Sequence, residues 1–352
     1  MDAASIAVAM SGGVDSSVAA ALLVEAGHRV FGLMLRLWSP DGGPSNRCCS
    51  PEDLAAARKT AAELGIPFYA IDVQDRFRRQ VVDTFVNGYA AGVTPNPCLE
   101  CNRDIRWTFL LDHALALGAT HLATGHYARV SGIPGHHVLS RAVDPQKDQS
   151  YVLSVLGQPQ LRHAIFPLGE LMKPEVRARA RRLGLLAAER PDSQDLCFLG
   201  GQDYRAFLEN IIPAAPGPIL DRGGNEVGRH GGLSRFTIGQ RKGLALSRPR
   251  PTYVVGKDPV RNAVIVGERE ELAVLKFRTG PAHWVSGKAP TPPRKLTVQV
   301  RYRALEVGVD IRPLPEGRLE IQADEPLYNV TPGQAAVLYD GPDCLGLGII
   351  QP

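Results

Sequence analysis

The feature that most constrains this chain is a short apolar run, residues 5–10 (Ser-Ile-Ala-Val-Ala-Met). It ends in Ser11-Gly12-Gly13-Val14-Asp15-Ser16-Ser17 and passes into an Ala-rich segment, 18–25, stopped by Gly27. Such a run before a glycine turn reads as a buried parallel strand. The two glycines let backbone N–H groups face an anion, the serines add donors, and the helix N-terminus adds the positive end of its dipole. The loop lacks the lysine of G-x-x-x-x-G-K-S/T, which excludes a P-loop NTPase site. A carboxylate repels phosphate, so Asp15 is read either as a holder of Mg²⁺ that bridges phosphates or as a helix cap. The plain alternative is a glycine-rich turn with no ligand.

The same alternation continues. Residues 30–38 predict a second strand, 51–64 a helix capped by Ser50, and 67–73 a third strand. Helices follow over 76–89 and 107–117, then a strand over 121–125. Alternating βα units predict an α/β fold with a doubly wound parallel sheet, which binds ligands at the carboxyl ends of its strands. Residues 151–186 read as further helix with a basic face built from Lys173, Arg177, Arg179, Arg181 and Arg182. Near residue 203 the character changes to glycine-broken segments after a Pro213–Pro218 linker. Runs at 296–302, 308–312, 318–323 and 335–339 then have the spacing of a small C-terminal β-barrel. Three domains are expected: 1–202, a small central one over 203–285, and the barrel over 286–352.

Hydrophobic residues at 44% and charged ones at 22% exclude wholesale disorder. No apolar run approaches the ~18 residues of a membrane span, and the N-terminus has no basic leader, so a cytoplasmic chain without membrane contact is expected. The net charge of 40 − 36 = +4 permits a nucleic-acid partner without arguing for one. Six cysteines (Cys48, Cys49, Cys98, Cys101, Cys197, Cys344) are too few and too scattered for a disulfide framework in such a compartment. Cys344 reads as a buried filler. Cys98 and Cys101 form C-x-x-C, a redox dithiol or half a metal site. Cys197 would add a third thiolate and leave one open position on zinc or an iron–sulfur cluster.

Six segments occur in a fixed order: Ser-Gly-Gly-Val-Asp-Ser, Asn-Pro-x-x-x-Cys-Asn, Ala-Thr-Gly-His-Tyr-Ala, Lys-Asp-Gln-Ser-Tyr, Asp-Ser-Gln-Asp-x-Cys-Phe and Thr-Pro-Gly-Gln-Ala. Together they resemble the tRNA-specific 2-thiouridylase family of the N-type ATP pyrophosphatase superfamily, over about residues 6–349. The resemblance implies an adenine nucleotide alpha hydrolase-like domain using ATP and Mg²⁺. Ala9, Met10, Ser11, Gly12, Gly13, Val14, Asp15 and Ser16 would cradle the pyrophosphate end. Met34 would pack on adenine, and Gly125 would line the same pocket. It further implies adenylation of O2 of the wobble uridine (position 34) of tRNA, releasing pyrophosphate and then AMP. Cys197 would carry a persulfide loaded by a sulfur-relay protein or cysteine desulfurase, and Cys101 would be the nucleophile that ends in a disulfide with it. Asn96, Pro97 and Cys98 would meet the target base. His126, Lys147, Asp148, Gln149, Arg301, Tyr302 and Gln334 would contact tRNA.

One position departs from the pattern. The best-known branch of that family carries Asp where this chain has Cys98, and the change makes a 4Fe–4S cluster on Cys98, Cys101 and Cys197 an alternative route for the sulfur. Two other readings remain open. Another adenylating ligase of the superfamily would give the thiols no role, and a non-catalytic metal-containing tRNA-binding protein would not consume ATP. Cys48-Cys49 reads as a structural turn or a local sulfur relay. Strand alternation along 298–302 predicts Gln299 and Arg301 on one face and Tyr302 on the other.

Overall fold

The computed structural model describes residues 4–38, 50–190, 196–246, 248–291 and 295–352. Five parallel strands form the first sheet: β1 (Ser5–Ala9), β2 (Arg29–Arg36), β3 (Phe68–Asp72), β4 (His121–Thr124) and β7 (Ala164–Ile165), in the order β3-β2-β1-β4-β7. Along β1 the side chains alternate between two cores. Ile6, Val8 and Met10 pack with Ala20 and Leu23 of α1 (Val14–Glu25) and Ala57 and Ala61 of α2 (Pro51–Glu63). Ala7 and Ala9 face Phe77, Val81, Ile105 and Leu110 from helical runs over 74–90 and 97–116. Helices therefore cover both faces, as the alternation predicts. Strand order reverses at β1, between β2 and β4, so the carboxyl ends of β1 and β4 frame the crevice where such sheets bind ligands.

Local chemistry explains the boundaries. Ser50 caps α2 in a full capping box with Asp53, and Pro51 stands at its first position. The run over 97–116 starts ten residues before the expected 107, because Asn96 caps it by accepting from the Cys98 N–H at 3.1 Å and Pro97 opens it. Its middle, Cys101–Leu110, is π-helical, a geometry concentrated at functional sites. The helix expected over 151–186 is instead two single turns, Ser150–Leu153 and Gln158–Leu161, then the edge strand β7 and a helix over Lys173–Arg182. The basic face of that last helix is also corrected. Lys173 is buried, Arg177 donates to the Ala188 and Arg190 carbonyls, and Arg181 pairs with Glu189.

The central region holds β8 (Gly217–Leu220), β9 (Glu226–His230), β10 (Tyr253–Asp258) and β11 (Ala263–Gly267), ordered β10-β11-β8-β9 around Ile219, Val254, Val264 and Val266. The last region contributes β12 (Val274–Pro281), β13 (His283–Trp284), β14 (Leu296–Gln299), β15 (Val307–Pro313), β16 (Arg318–Leu327), β17 (Ala335–Asp340) and β18 (Asp343–Ile349). These run β12-β16-β15-β14-β17-β18, and a Thr279–Ile350 bridge with a Gln351 N–H bond to Arg278 O closes them into a barrel. A hairpin that sequence patterning missed, β5 (Ala128–Ile133) and β6 (His136–Arg141), leaves the first region and pairs with β18. The strand expected over 296–302 stops at Gln299. Residues 301–304 form a turn closed by Ala304 N to Arg301 O, so strand alternation does not govern Arg301 and Tyr302.

Candidate active site

The loop after β1 closes on itself. Gly12 adopts φ +74°, and a Cβ there would lie 2.5 Å from the Asp53 carbonyl, so only glycine fits. Ser16 Oγ donates to Gly13 O at 3.2 Å and accepts from the Ser11 N–H at 3.1 Å; Ser17 Oγ donates to the same carbonyl at 2.9 Å. Arg190 locks the loop from outside, bonding Gly12 O at 3.0 Å and Asp53 at 2.7 Å. Gly125 presses against it from β4, where a Cβ would sit 2.7 Å from Ser16 N. Asp15 neither caps the helix nor stands alone: Tyr127 OH donates to it at 2.8 Å, and Lys173 Nζ lies 2.7 and 2.8 Å from its two oxygens.

A cavity of about 280 Å³ opens over this loop. It brings together Ala9, Met10, Ser11, Gly13, Val14, Asp15 and Ser16 with Gly125, His126, Lys147, Gln149 and Tyr302. Met34 is not on this wall. Its neighbours Leu33, Leu35 and Leu37 line the cavity, and Met34 points into the opposite core. Sequence reasoning missed Arg106, Tyr127 and Arg303 on the wall and Lys173 beside it. The missing P-loop lysine was the signal for Lys173, since an anion loop without its own cation needs one from elsewhere. His126 accepts or donates at Thr124 Oγ1 (2.8 Å), and burial, with Arg106 adding, pushes its pKa down to about 3. Its imidazole is neutral at physiological pH. A wider cleft of about 570 Å³ lies in the central region. It has no thiol, and two of its arginines are paired with its glutamates, Arg222–Glu271 at 2.8 Å and Arg250–Glu268 at 3.1 Å.

Tyr302, on the wall of the cavity over the glycine loop, has its ring 6.2 Å from that of Tyr151. Tyr151 OH donates to Ala335 O at 3.0 Å; burial raises its pKa, opposed by Ala335, Asn96 and Arg301. Asn96 and Arg301 therefore meet at Tyr151. Cys101 is buried in the main core, and Cys98, Cys197 and Tyr302 pack against that same core. Phe198 anchors the turn Cys197–Leu199 between Phe85 and Phe207, at 5.2 and 5.3 Å. Cys98, Cys101, Cys197 and Cys344 all carry thiols, and Cys344 is buried filler as expected. Cys48, Cys49 and residues 192–195 lie outside the described residues.

Several residues expected to touch RNA have protein partners. Asp148 is buried, accepting from Ala142 N (2.9 Å), Ser150 Oγ (2.7 Å) and Arg141 (3.1 Å). Gln334 Nε2 donates to Thr94 O at 2.7 Å, holding the strand-like approach to Asn96 and Pro97. Gln149 Oε1 accepts the Tyr127 N–H at 3.0 Å, and Lys147 stands beside it on the cavity wall.

Among the described residues, neither expected metal has a protein-only site. Among the described residues no group of three His, Cys, Asp or Glu side chains could hold a metal ion, so the arrangement of Cys98, Cys101 and Cys197 does not fit a cluster. Among the described residues, Asp15 is the only carboxylate on the cavity wall. That donor set suits a Mg²⁺ that brings most of its ligands as phosphate oxygens and water.

A glycine-turned loop at the switch point of a parallel sheet, beneath a cavity, with a barrel appended, defines an α/β domain of the HUP type. Family models agree: residues 4–201 match the tRNA methyl transferase HUP domain, 205–268 the tRNA methyl transferase PRC-barrel domain and 274–350 the aminomethyltransferase beta-barrel domain. The tRNA-specific 2-thiouridylase MnmA of Roseiflexus castenholzii is 48% identical over 99% of both chains. That of Chloroflexus aurantiacus is 48% identical over 99% of this chain and 98% of its own. The chain belongs to the tRNA-specific 2-thiouridylase family. A solved 4-thiouridine synthetase–RNA complex with bound ATP is 16% identical over 60% of this chain and 50% of its own, at a TM-score of 0.39, too distant to argue from.

Proposed function

We propose that this protein is an ATP-dependent tRNA 2-thiouridylase acting on the wobble uridine, position 34. The observation that supports this most is that Tyr302, on the wall of the cavity over the glycine loop, packs against the same core as Cys98, Cys101 and Cys197. In this reading the loop over residues 9–16 holds the phosphates of ATP. Lys173 and the loop N–H groups stabilise charge on the departing pyrophosphate as O2 of the uridine takes the adenylyl group. Asp15 is the residue that would hold a Mg²⁺ carried in by the phosphates.

The base leaves its stack to reach the loop of Asn96, Pro97 and Cys98. Neutral His126 then donates or accepts a single hydrogen bond without adding charge. The terminal sulfur of a Cys197 persulfide attacks C2 and AMP leaves. The Cys101 thiolate next attacks Cys197 Sγ, releasing 2-thiouridine and leaving a Cys101–Cys197 disulfide. An external dithiol must reduce that disulfide by two electrons before the next turnover. The persulfide donor would be a sulfur-relay protein or cysteine desulfurase.

The reading is tested with purified protein, ATP, Mg²⁺, tRNA and a persulfide donor. One AMP and one 2-thiouridine per event are expected, and Cys197→Ser and Cys101→Ser should each abolish thiolation. Absence of thiolated uridine from the parent protein would end this reading.

A further inference from the structure

We infer that the turn over residues 237–243 of the central region is a docking surface for the phosphate backbone of the RNA substrate. The inference rests on the tRNA reading above. Residues 227–257 contain seven cations (Arg229, Arg235, Arg241, Lys242, Arg248, Arg250, Lys257) and no acid. The chain's other residues therefore hold 33 cations against 36 acids, a balance of −3, so this one stretch carries the whole positive net charge.

Most of these cations have local partners. Arg229 pairs with Glu226 at 3.2 Å, Arg235 with Glu209 at 2.6 Å and Arg250 with Glu268 at 3.1 Å. Lys257 donates to the Phe236 carbonyl at 3.0 Å. Arg248 is exposed and holds no ion pair among the described residues, and the same is true of Arg241 and Lys242, the two that stand on the 237–243 turn.

Their backbone is braced from four sides. Gln240 Oε1 accepts the Thr237 N–H at 3.1 Å, and its Nε2 donates to Lys242 O at 2.9 Å. Gly239 N–H bonds Val254 O at 2.8 Å, and Val254 N–H bonds Gln240 O at 2.9 Å. A surface turn held this firmly presents its charges at low cost in backbone entropy on binding.

The position suits the occupant. Gly239, at φ +85°, packs without room for a Cβ against Asn329. Asn329 O accepts from Thr331, and Pro332 O, on the same turn, accepts the Thr94 N–H at 2.9 Å. Thr94 leads directly into Asn96-Pro97-Cys98. The basic turn thus lies at the junction that holds the loop proposed to receive the base, where phosphates flanking a flipped nucleotide must pass. Neutralising each phosphate contributes about 0.7–0.9 to the log–log salt slope, so two contacts contribute about 1.5.

The test measures tRNA binding against salt for the parent, for Arg241→Ala/Lys242→Ala, and for the charge-keeping swap Arg241→Lys/Lys242→Arg. The alanine pair should lower the slope by about 1.5 and weaken binding about thirtyfold at 0.1 M salt, taking the effect to vanish near 1 M. The swap should match the parent, and KM for ATP and kcat at saturating tRNA should not move. Unchanged slope and affinity in the alanine pair overturn the inference alone. So does a loss confined to turnover with a protein persulfide donor but not with inorganic polysulfide, whose sulfane sulfur loads Cys197 directly, which would assign the surface to that protein. A parent that binds no tRNA overturns the functional reading and this inference with it.

Discussion

Lys173 gives the anion loop the ammonium that its own sequence lacks, and it does so from a position 158 residues away in the chain. It is buried, with both Asp15 oxygens within 2.8 Å. Replacing it with Ala is expected to lower AMP formation about 10²-fold, the usual cost of removing one fixed donor from developing charge. Binding of tRNA should be unchanged, which a filter assay beside an AMP assay would check. His126 behaves oppositely, as a group kept uncharged. Its pKa falls from 6.5 to about 3 through burial, so the folded state resists a proton that the unfolded chain accepts. Stability is therefore full above pH 6.5 and is lost as pH falls from there toward 3. Between pH 6.5 and 5 the loss is at most about 2 kcal/mol, 1.5 pH units at about 1.4 kcal/mol each. His126→Gln should flatten that limb in denaturant melts at pH 7 and 5, and an unchanged difference would contradict the assignment. The sequence made Asp15 and His126 visible as motif members. It did not show that Lys173 reaches Asp15, because only the packing of the Lys173–Arg182 helix against α1 brings them together.

The turn over 331–334 acts at the scale of an element, by gripping the cysteine loop. Thr94 is held through both of its backbone polar groups: its N–H donates to Pro332 O at 2.9 Å, and its carbonyl accepts from Gln334 Nε2 at 2.7 Å. Gly333, at φ +91°, leaves no space: a Cβ would lie 2.9 Å from Thr94 backbone atoms. Gly333→Ala is expected to destabilise the fold by about 1–3 kcal/mol, because both partners are backbone and neither can swing away. Gln334→Ala should instead leave the fold intact and loosen the loop, so that Cys98 is alkylated several-fold faster in protein without RNA. If only tRNA affinity changes, Gln334 is an RNA contact and not a clamp. Elements of this kind were unevenly legible. The βα alternation and the capping residue Ser50 marked the parallel sheet and its helices, whereas the cap at Asn96 was not read and the helix it opens was expected only from 107. The hairpin β5–β6 stayed hidden because its pairing partner, β18, is about two hundred residues distant and its own run lacks regular alternation, with Ser131, Gly132 and Ile133 all exposed.

At the scale of the whole molecule, that hairpin joins the catalytic sheet to the barrel, and Arg141 at its end is the joint. Its guanidinium stacks 3.6 Å from the Tyr339 ring centroid and donates to Asp148 at 3.1 Å. Its Nη2 also lies 2.8 Å from Glu306, a charge contact without hydrogen-bond alignment, since that nitrogen lacks a bonded partner. Glu306 follows the Arg301–Ala304 turn that brings Tyr302 and Arg303 to the cavity, and Asp148 sits between Lys147 and Gln149 on the same wall. Two part-buried ion pairs on one guanidinium thus fix two cavity edges contributed by different regions. Arg141→Met strands the Asp148 carboxylate and is expected to cost about 3–5 kcal/mol, whereas Arg141→Met with Asp148→Asn should cost clearly less than the sum of the single changes. The double variant separates stability from function. If the joint only holds the barrel on, its KM for ATP should equal that of the parent. If it sets the cavity edge, KM for ATP should stay raised several-fold in a protein whose melt is largely restored, because Lys147 and Gln149 then lack the fixed carboxylate between them.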